Sequence, residues 1–232
     1  MISISDSNLI LSFVPVIVVI IILFYWTRSH GNAIYALLRM LVQLMLIGHL
    51  LMYLFESDNI YLVSMVLVLM VLISSWISMR ELTSKNSKVY SNVVVSIAAG
   101  GGLTLLLVVK GVLNLQPWYI PSYIIPLASM IFANAMNTVS LAAERLEAEL
   151  SRDVDYYQSR NIAFKAALIP ITNSMFAVGL VSLPGMMTGQ ILSGTSPLIA
   201  ARYQIIVMTM LYGSAGISAA IYLFLSKQER EF

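Results

Sequence analysis

Cysteine is missing altogether from this chain of 232 residues, charged residues make up only 10% of it, and it holds two histidines. The first absence excludes disulfide frameworks, thiolate nucleophiles and zinc–cysteine sites. The second is more informative. A soluble domain carries about 25% charged residues, so this chain cannot cover its surface with charge. Acid is scarcest where it would matter most: all eleven Asp and Glu lie between the long apolar runs rather than in their cores. That weakens a proton-coupled or Na⁺-coupled carrier, in which an intramembrane Asp or Glu usually carries the coupling. No GxxxxGK[ST] phosphate loop is present, so the chain cannot hydrolyse ATP by that route on its own. The last apolar run has no lysine to hold retinal. Nothing pairs Ser214 of "GSAG" with His30 or His49 as nucleophile and base. An enzyme is not expected, nor a cofactor bound by this chain.

What is present is hydrophobic: 59% of the residues, with a mean hydropathy of +0.86. About 20 apolar residues cross a bilayer as a helix. Such runs occur at 8–26, 36–54, 60–79, 91–109, 122–143, within 162–192, and at 203–225. The expectation is an all-α polytopic integral membrane protein of about seven transmembrane helices. Residues 1–232 then form a single transmembrane domain, since no linker, low-complexity tract or internal repeat interrupts them. The opening "MISISDSN" has no Lys or Arg, so the first run reads as a mature helix and not a cleaved signal peptide. Basic residues concentrate in cytoplasmic loops. With the N-terminus outside and the C-terminus in the cytoplasm, eleven Lys and Arg fall inside and only Lys110 and Arg202 outside. A multi-pass protein of the inner or plasma membrane is expected. Its partners include membrane lipids and exclude nucleic acid.

One segment does not read as a plain span. Residues 162–192 would extend about 46 Å as a straight helix at ~1.5 Å per residue, against a hydrocarbon core of ~30 Å. Pro170 and Pro184 are the obvious break points, because proline removes a donor and clashes with the preceding turn. Freed backbone groups at membrane depth persist only where protein or a water-lined cavity satisfies them. The stretch "LPGMMTGQ" therefore predicts a break at Pro184-Gly185, with Met186 and Met187 as candidate metal ligands. Gly189 and Gln190, together with Pro184, Gly185, Gln43, Asn134, Asn137 and Asn173, make up a candidate substrate path, as polar spans often do. The alternative stands beside it. Gly185 and Gly189 form a GxxxG pair that would let two helices approach, the methionines would be apolar fill, and the amides would bond between helices.

The sizeable polar stretch, 144–165, places Leu146, Leu150, Val154 and Tyr157 at helical spacing with charges between them. It predicts an amphipathic helix over about 144–161 continuing from the fifth span. Such a helix either lies at the headgroups or offers its apolar ridge to a soluble partner.

The segments "LLRMLVQLMLIG" (37–48), "IPLASMIFANAMNTVSLAAERLEAEL" (125–150), "AALIP" (166–170), "GLVSLPGMMTGQI" (179–191) and "ARYQIIVM" (201–208) together resemble the Fet-type ABC transporter permeases. These are bacterial permeases assigned to iron export, with plant relatives among the aluminium-sensitivity proteins. The resemblance runs from about residue 35 to 225 in the family's order. It implies a homodimeric export permease for a metal ion, energised by ATP through a separate ABC ATPase subunit docked at Leu146, Leu150, Val154 and Tyr157. It also admits an organic solute such as a nucleotide sugar, with which plant relatives have been linked. In the family the loop before "AALIP" is longer and contains "LGA", resembling the ATPase-docking loop of importers. Here "ELSRDVDYYQSR" runs directly into "NIAFKAALIP", so a chain that has lost ATPase docking is a further alternative. Thioethers favour soft metals such as Cu(I), whereas harder cations want carboxylate or imidazole.

Overall fold

A computed structural model describes residues 5–57, 59–80, 82 and 85–228. Asp58, Glu81, Glu229, Arg230 and Glu231, used above for span boundaries and orientation, lie outside the described residues. Among those described the fold is all-helical, apart from an isolated bridge between Val178 and Ser182. The chain is a polytopic α-helical membrane protein. Six stretches are long and apolar enough to span: Asn8–Trp26, His30–Phe55, Ile60–Ser78, Ser87–Val112, Pro121–Leu150 and Pro197–Lys227. They fall on six of the seven expected runs.

The chain divides into two units, the first ending at Glu56 and the second starting at Ser57. The first holds α1 (Asp6–Leu11), α2 (Val14–Trp26) and α3 (His30–Phe55). α2 reads VPVIVVIIILFYW, rich in β-branched residues that favour strands in water. In a bilayer the backbone must satisfy itself within the segment, so helix wins.

The second unit holds α4 (Ile60–Ser78), α5 (Ser87–Leu106, prolonged by a π-turn over Leu107–Val112), α6 (Pro121–Leu150), α7 (Tyr156–Ala177), α8 (Gly185–Leu192) and α9 (Pro197–Gln228). Its helix starts follow local chemistry. Asn59, Asn86 and Asp155 accept N–H bonds from the first turns of α4, α5 and α7, and Pro121 begins α6, where its missing donor is not needed.

The core lies among α5, α6 and α9, where small residues sit beside buried aliphatic ones such as Ile97, Ile131 and Leu223. A Cβ added at Gly100 would meet Ser218 of α9 at 2.3–2.9 Å, two of the three contacts being backbone atoms. One at Gly101 would meet the Phe132 ring of α6 at 2.8 Å. The "GGG" of 100–102 thus seats α5 against two neighbours, as small residues do between membrane helices. Side chain to backbone bonds join neighbouring helices of the bundle. The Asn134 Nδ2 donates to the Leu211 carbonyl at 2.8 Å, the Ser78 hydroxyl to the Met136 carbonyl at 3.2 Å, and the Tyr156 hydroxyl to the Leu223 carbonyl.

Two expectations about helix continuity need correction. The helix that leaves the fifth span stops at Leu150, and a turn through Asp153 (φ 59°) separates it from α7. No single helix runs over 144–161. The cause is Asp155, which caps a new helix by accepting from the N–H groups of Tyr157 and Gln158. Secondly, Pro170 breaks nothing. It sits inside a continuous α7, and the Ser174 hydroxyl donates to its carbonyl at 3.0 Å.

Candidate functional site

The 162–192 segment is divided, and the division lies after Ala177. Val178 leaves α7 extended, Gly179 takes φ 82°, and its N–H bonds the Ser182 carbonyl at 2.9 Å. A β-carbon is strained at that φ, which is why a glycine serves there. The chain restarts as α8 with Pro184 as its N-cap and Gly185 as its first helical residue. The interruption thus runs from Val178 to Pro184, and Pro184-Gly185, where the sequence places the break, is its far end, at which the helix restarts.

Two cavities flank the break. The inner one, of about 390 Å³, lies between α6, α7, α8 and α9. It is bordered by Pro184, Gly185 and Met186 on one side and by Asn134 and Gln204 on the other. Asn134 and Leu211, which also border it, stand near the middle of α6 and α9, so this space reaches well into the bundle. The outer one, of about 320 Å³, is lined by Met186, Gln190, Thr195 and Tyr203, and by Tyr123 and Pro126 near the start of α6. Met186 borders both.

The sequence candidates therefore separate. Pro184, Gly185, Met186, Gln190 and Asn134 gather at these cavities. Met187 is half-buried and lines neither; Gly189, Asn137 and Asn173 are exposed and line neither. Gln43 is exposed on α3 in the first unit. Neither glycine of the Gly185–Gly189 pair is a packing glycine within the chain, since a Cβ at each would meet nothing within 4 Å.

Three residues of the inner cavity escaped the sequence reading: Gln204, Met130 and Met208. Gln204 is 6% exposed, and its Oε1 has no hydrogen-bond partner among the described residues. It is an amide inside the last apolar run, so the criterion that singled out Asn134 would have found it. Met130 and Met208 carried no signal, because methionine is common in this chain and their approach to Met186 depends on tertiary packing. Among the described residues, no group of three or more His, Asp or Glu comes together as a metal cage.

At the other end of α6, the expected docking ridge is split. Leu146 is 3% exposed and belongs to the core, Leu150 is half-buried, and Val154 lies in the turn. Tyr157 is exposed; the Lys227 ammonium donates to its hydroxyl at 2.8 Å, and the Arg160 guanidinium lies over its ring at 5.4 Å. Glu149, buried on the last turn of α6, pairs with Arg145 at 2.5 Å and Arg152 at 3.7 Å. This end carries charges of both signs and is tightly braced.

The model of the Uncharacterised protein family UPF0014 matches residues 6–160 and 152–230. The seam between the two matches falls on the turn between α6 and α7. A relative from Escherichia coli K12, named probable iron export permease protein FetB, is 30% identical over 247 residues, covering 97% of this chain and 91% of its own. UPF0014 membrane protein slr1647 of Synechocystis is 32% identical over 212 residues, 83% of this chain and 82% of its own. Protein ALUMINUM SENSITIVE 3 of Arabidopsis thaliana is 30% identical over 211 residues, 84% of this chain and 76% of its own. No solved structure matches. With the family model matched along nearly its whole length, this all-helical membrane protein belongs to the UPF0014 family.

Proposed function

We propose that this chain is the membrane-spanning permease subunit of an ABC-type exporter whose cargo is a metal ion, energised by a separate ATPase and working as a homodimer. The observation that carries the reading is the broken helix α7–α8 beside a cavity that reaches the middle of α6 and α9. Broken helices at membrane depth are features of transport sites, and a plain anchor has no use for one. The export of iron belongs to the printed name of the E. coli relative; its extension to this chain is part of the proposal. Met186 is the candidate soft-metal ligand with the better placement. Met130 and Met208 border the same cavity and join it as candidates, whereas Met187 does not.

The charged end of the bundle, with Arg145, Arg152, Arg160 and Lys227, faces the cytoplasm in this reading, and Tyr157 with the half-buried Leu150 and Val154 meets the ATPase. A chain without ATPase docking is the second reading. The missing "LGA" stretch and the seam in the family match at this turn favour it. An organic solute in place of a metal ion draws on the lack of any charged side chain around the inner cavity among the described residues.

The test is reconstitution of the chain with the small ABC ATPase of its own organism in liposomes. ATP-dependent movement of a metal, and loss of co-purification in Tyr157→Ala, are expected. A chain that neither retains the ATPase nor moves metal would leave the second reading. Orientation is checked by single cysteines at Ser5 and Ser87 in this cysteine-free chain. An impermeant thiol reagent should label position 5 alone in sealed cells.

A further inference from the structure

Residues 178–184 belong to neither α7 nor α8. Their level in the bundle is set by the inner cavity, which Val178 and Ser182 border together with Asn134 and Leu211 from the middle of α6 and α9. The turn therefore lies at membrane depth. Its donors are settled as far as Ser182: the Ala177 carbonyl takes the N–H groups of Leu180, Val181 and Ser182, and the Gly179 N–H goes to the Ser182 carbonyl. Its acceptors are not. Among the described residues the carbonyls of Gly179, Leu180 and Val181 accept no hydrogen bond.

Leu180 is 90% exposed and Val181 86%, and neither they nor Gly179 border the two cavities beside the break. Lipid tails offer no donor. Irregular backbone at membrane depth persists only against protein or beside a water-filled cavity, and here no cavity reaches it. Protein must cover this turn.

The neighbouring surface holds what the turn lacks. Asn173 lies one helical turn before Ala177; it is exposed, and its side chain has no hydrogen-bond partner among the described residues. Its Nδ2 has two hydrogens to give. Ile169, Asn173 and Phe176, at spacings of four and three on one face of α7, are all exposed, and Leu180 and Val181 follow them. No charged residue occurs between Lys165 and Arg202, so this surface suits a partner within the membrane. Unpaired acceptors and an unpaired donor sit side by side and do not meet within one copy. Across a two-fold axis they can, because residue i of one copy then meets j of the other while j meets i.

We propose that a second copy of this chain covers the turn, the face of Ile169, Asn173, Phe176, Leu180 and Val181 packing against the same face of the other copy. Each Asn173 amide donates to the turn carbonyls across the axis, as Asn side chains do between membrane helices. Homodimerisation belongs to the permease reading, on which this rests; what is added is the surface, with its donor and its acceptors.

The chain has no cysteine, so a single one reports self-contact. Leu180→Cys, in the full chain reconstituted in liposomes, should give a disulfide-linked dimer on mild oxidation. Val68→Cys, exposed in the middle of α4, reports chance collision and should stay monomeric under the same conditions. Energy transfer between copies labelled at Ser5→Cys, followed as lipid is added, measures the strength of the dimer. Asn173→Leu removes two interhelical bonds per dimer and should weaken it about five- to tenfold. Asn173→Gln keeps the donor and should restore most of that loss. In dilute detergent the thermal midpoint of Asn173→Leu should not fall, since nothing in its own chain bonds that amide.

A chain that stays monomeric at every lipid dilution would overturn the proposal, leaving the turn to be covered from within the chain or by a different protein. So would a dimer that cross-links through Val68→Cys as readily as through Leu180→Cys, or one indifferent to Asn173→Leu. None of these measurements involves ATP or a metal. The permease reading stands or falls separately, on ATP-dependent metal movement, so the two failures remain distinguishable.

Discussion

Two pairs of glycines in this protein do opposite things. Gly100 and Gly101 are pressed against α9 and α6, so that a Cβ at either would lie under 3.0 Å from a neighbouring atom. Gly185 and Gly189 have open space around them. Both pairs sit in apolar segments, and the second matches the GxxxG spacing associated with close helix approach while the first does not. The pattern alone thus misassigns them. Where α5 crosses α9, glycine removes bulk so that backbones can touch. At the start of α8 it leaves the first turn uncovered, beside a cavity. One region is built to be filled and the other to be left open.

The comparison breaks most readily at Gly100. Alanine there would place its Cβ 2.6 Å from the Ser218 backbone nitrogen and 2.9 Å from its Cα. Backbone cannot rotate away as a side chain end can, so α5 and α9 must separate. Overpacking of this kind costs about 1–3 kcal/mol, and the thermal midpoint of the protein in detergent should fall by several degrees. Gly101→Ala meets only the Phe132 ring and an Ile131 methyl, which can give, and should cost less. Equal midpoints for Gly100→Ala and the parent would mean that the tight crossing does not exist in solution.

A smaller effect is expected at Asn134, where the two regions meet. Its Nδ2 ties α6 to the Leu211 carbonyl of α9, while the residue also borders the inner cavity. Hydrogen bonds between membrane helices contribute about 0.6 kcal/mol on average and at most about 1.7. Asn134→Leu should therefore lower stability by that order and no more. Reconstituted transport should fall further than stability does, because an apolar side chain also closes part of the cavity. Loss of stability with unchanged transport would make Asn134 a packing residue only.

Much of this architecture was legible from residue order. Apolar runs located six spans, and Asn59, Asn86 and Asp155 are the kind of residue that starts helices. The break at Pro184-Gly185 followed from a segment too long to cross straight. What failed did so for identifiable reasons. Leu146, Leu150, Val154 and Tyr157 keep helical spacing in the sequence although a turn separates the first two from Tyr157; the two aspartates of "RDVD" were the contrary signal. Pro170 looked like a break, yet a membrane helix can absorb a proline when hydroxyls such as that of Ser174 restore its bonding. The cavity that Gln204 and Gly185 both border, and the bond from Asn134 to Leu211, bring together residues remote in sequence. Spacing along the chain holds no information about such pairs.

The adjacent methionines sharpen the open side of the comparison. Met186 borders both cavities and Met187 neither, though sequence treats them alike. Leucine keeps most of the volume and all of the apolar character, and volume-conserving swaps usually cost less than ~1.5 kcal/mol. Met186→Leu should thus leave the thermal midpoint nearly unchanged while reducing transport of a thiophilic metal. Met187→Leu should change neither. Equal transport in the two variants would remove sulfur from the mechanism.

The smallest effect is expected where the open region is tested directly. At both Gly185 and Gly189 an added Cβ meets nothing within 4 Å, and neither residue has a positive φ. Alanine also favours helix over glycine by about 0.8–1.0 kcal/mol per residue in a helix interior. Gly189→Ala should therefore be neutral or slightly stabilising by thermal denaturation of the monomeric chain in detergent, against a clear loss for Gly100→Ala. Gly185, at the first helical position, should gain less than Gly189. A second copy of the chain closing on this face would reverse the sign at Gly189 alone. The midpoint of Gly189→Ala would then fall below that of the parent in bilayer nanodiscs, where copies can associate, while remaining unchanged in dilute detergent. Destabilisation in dilute detergent as well would mean that α8 is packed within its own chain, and that the space around these glycines is not open.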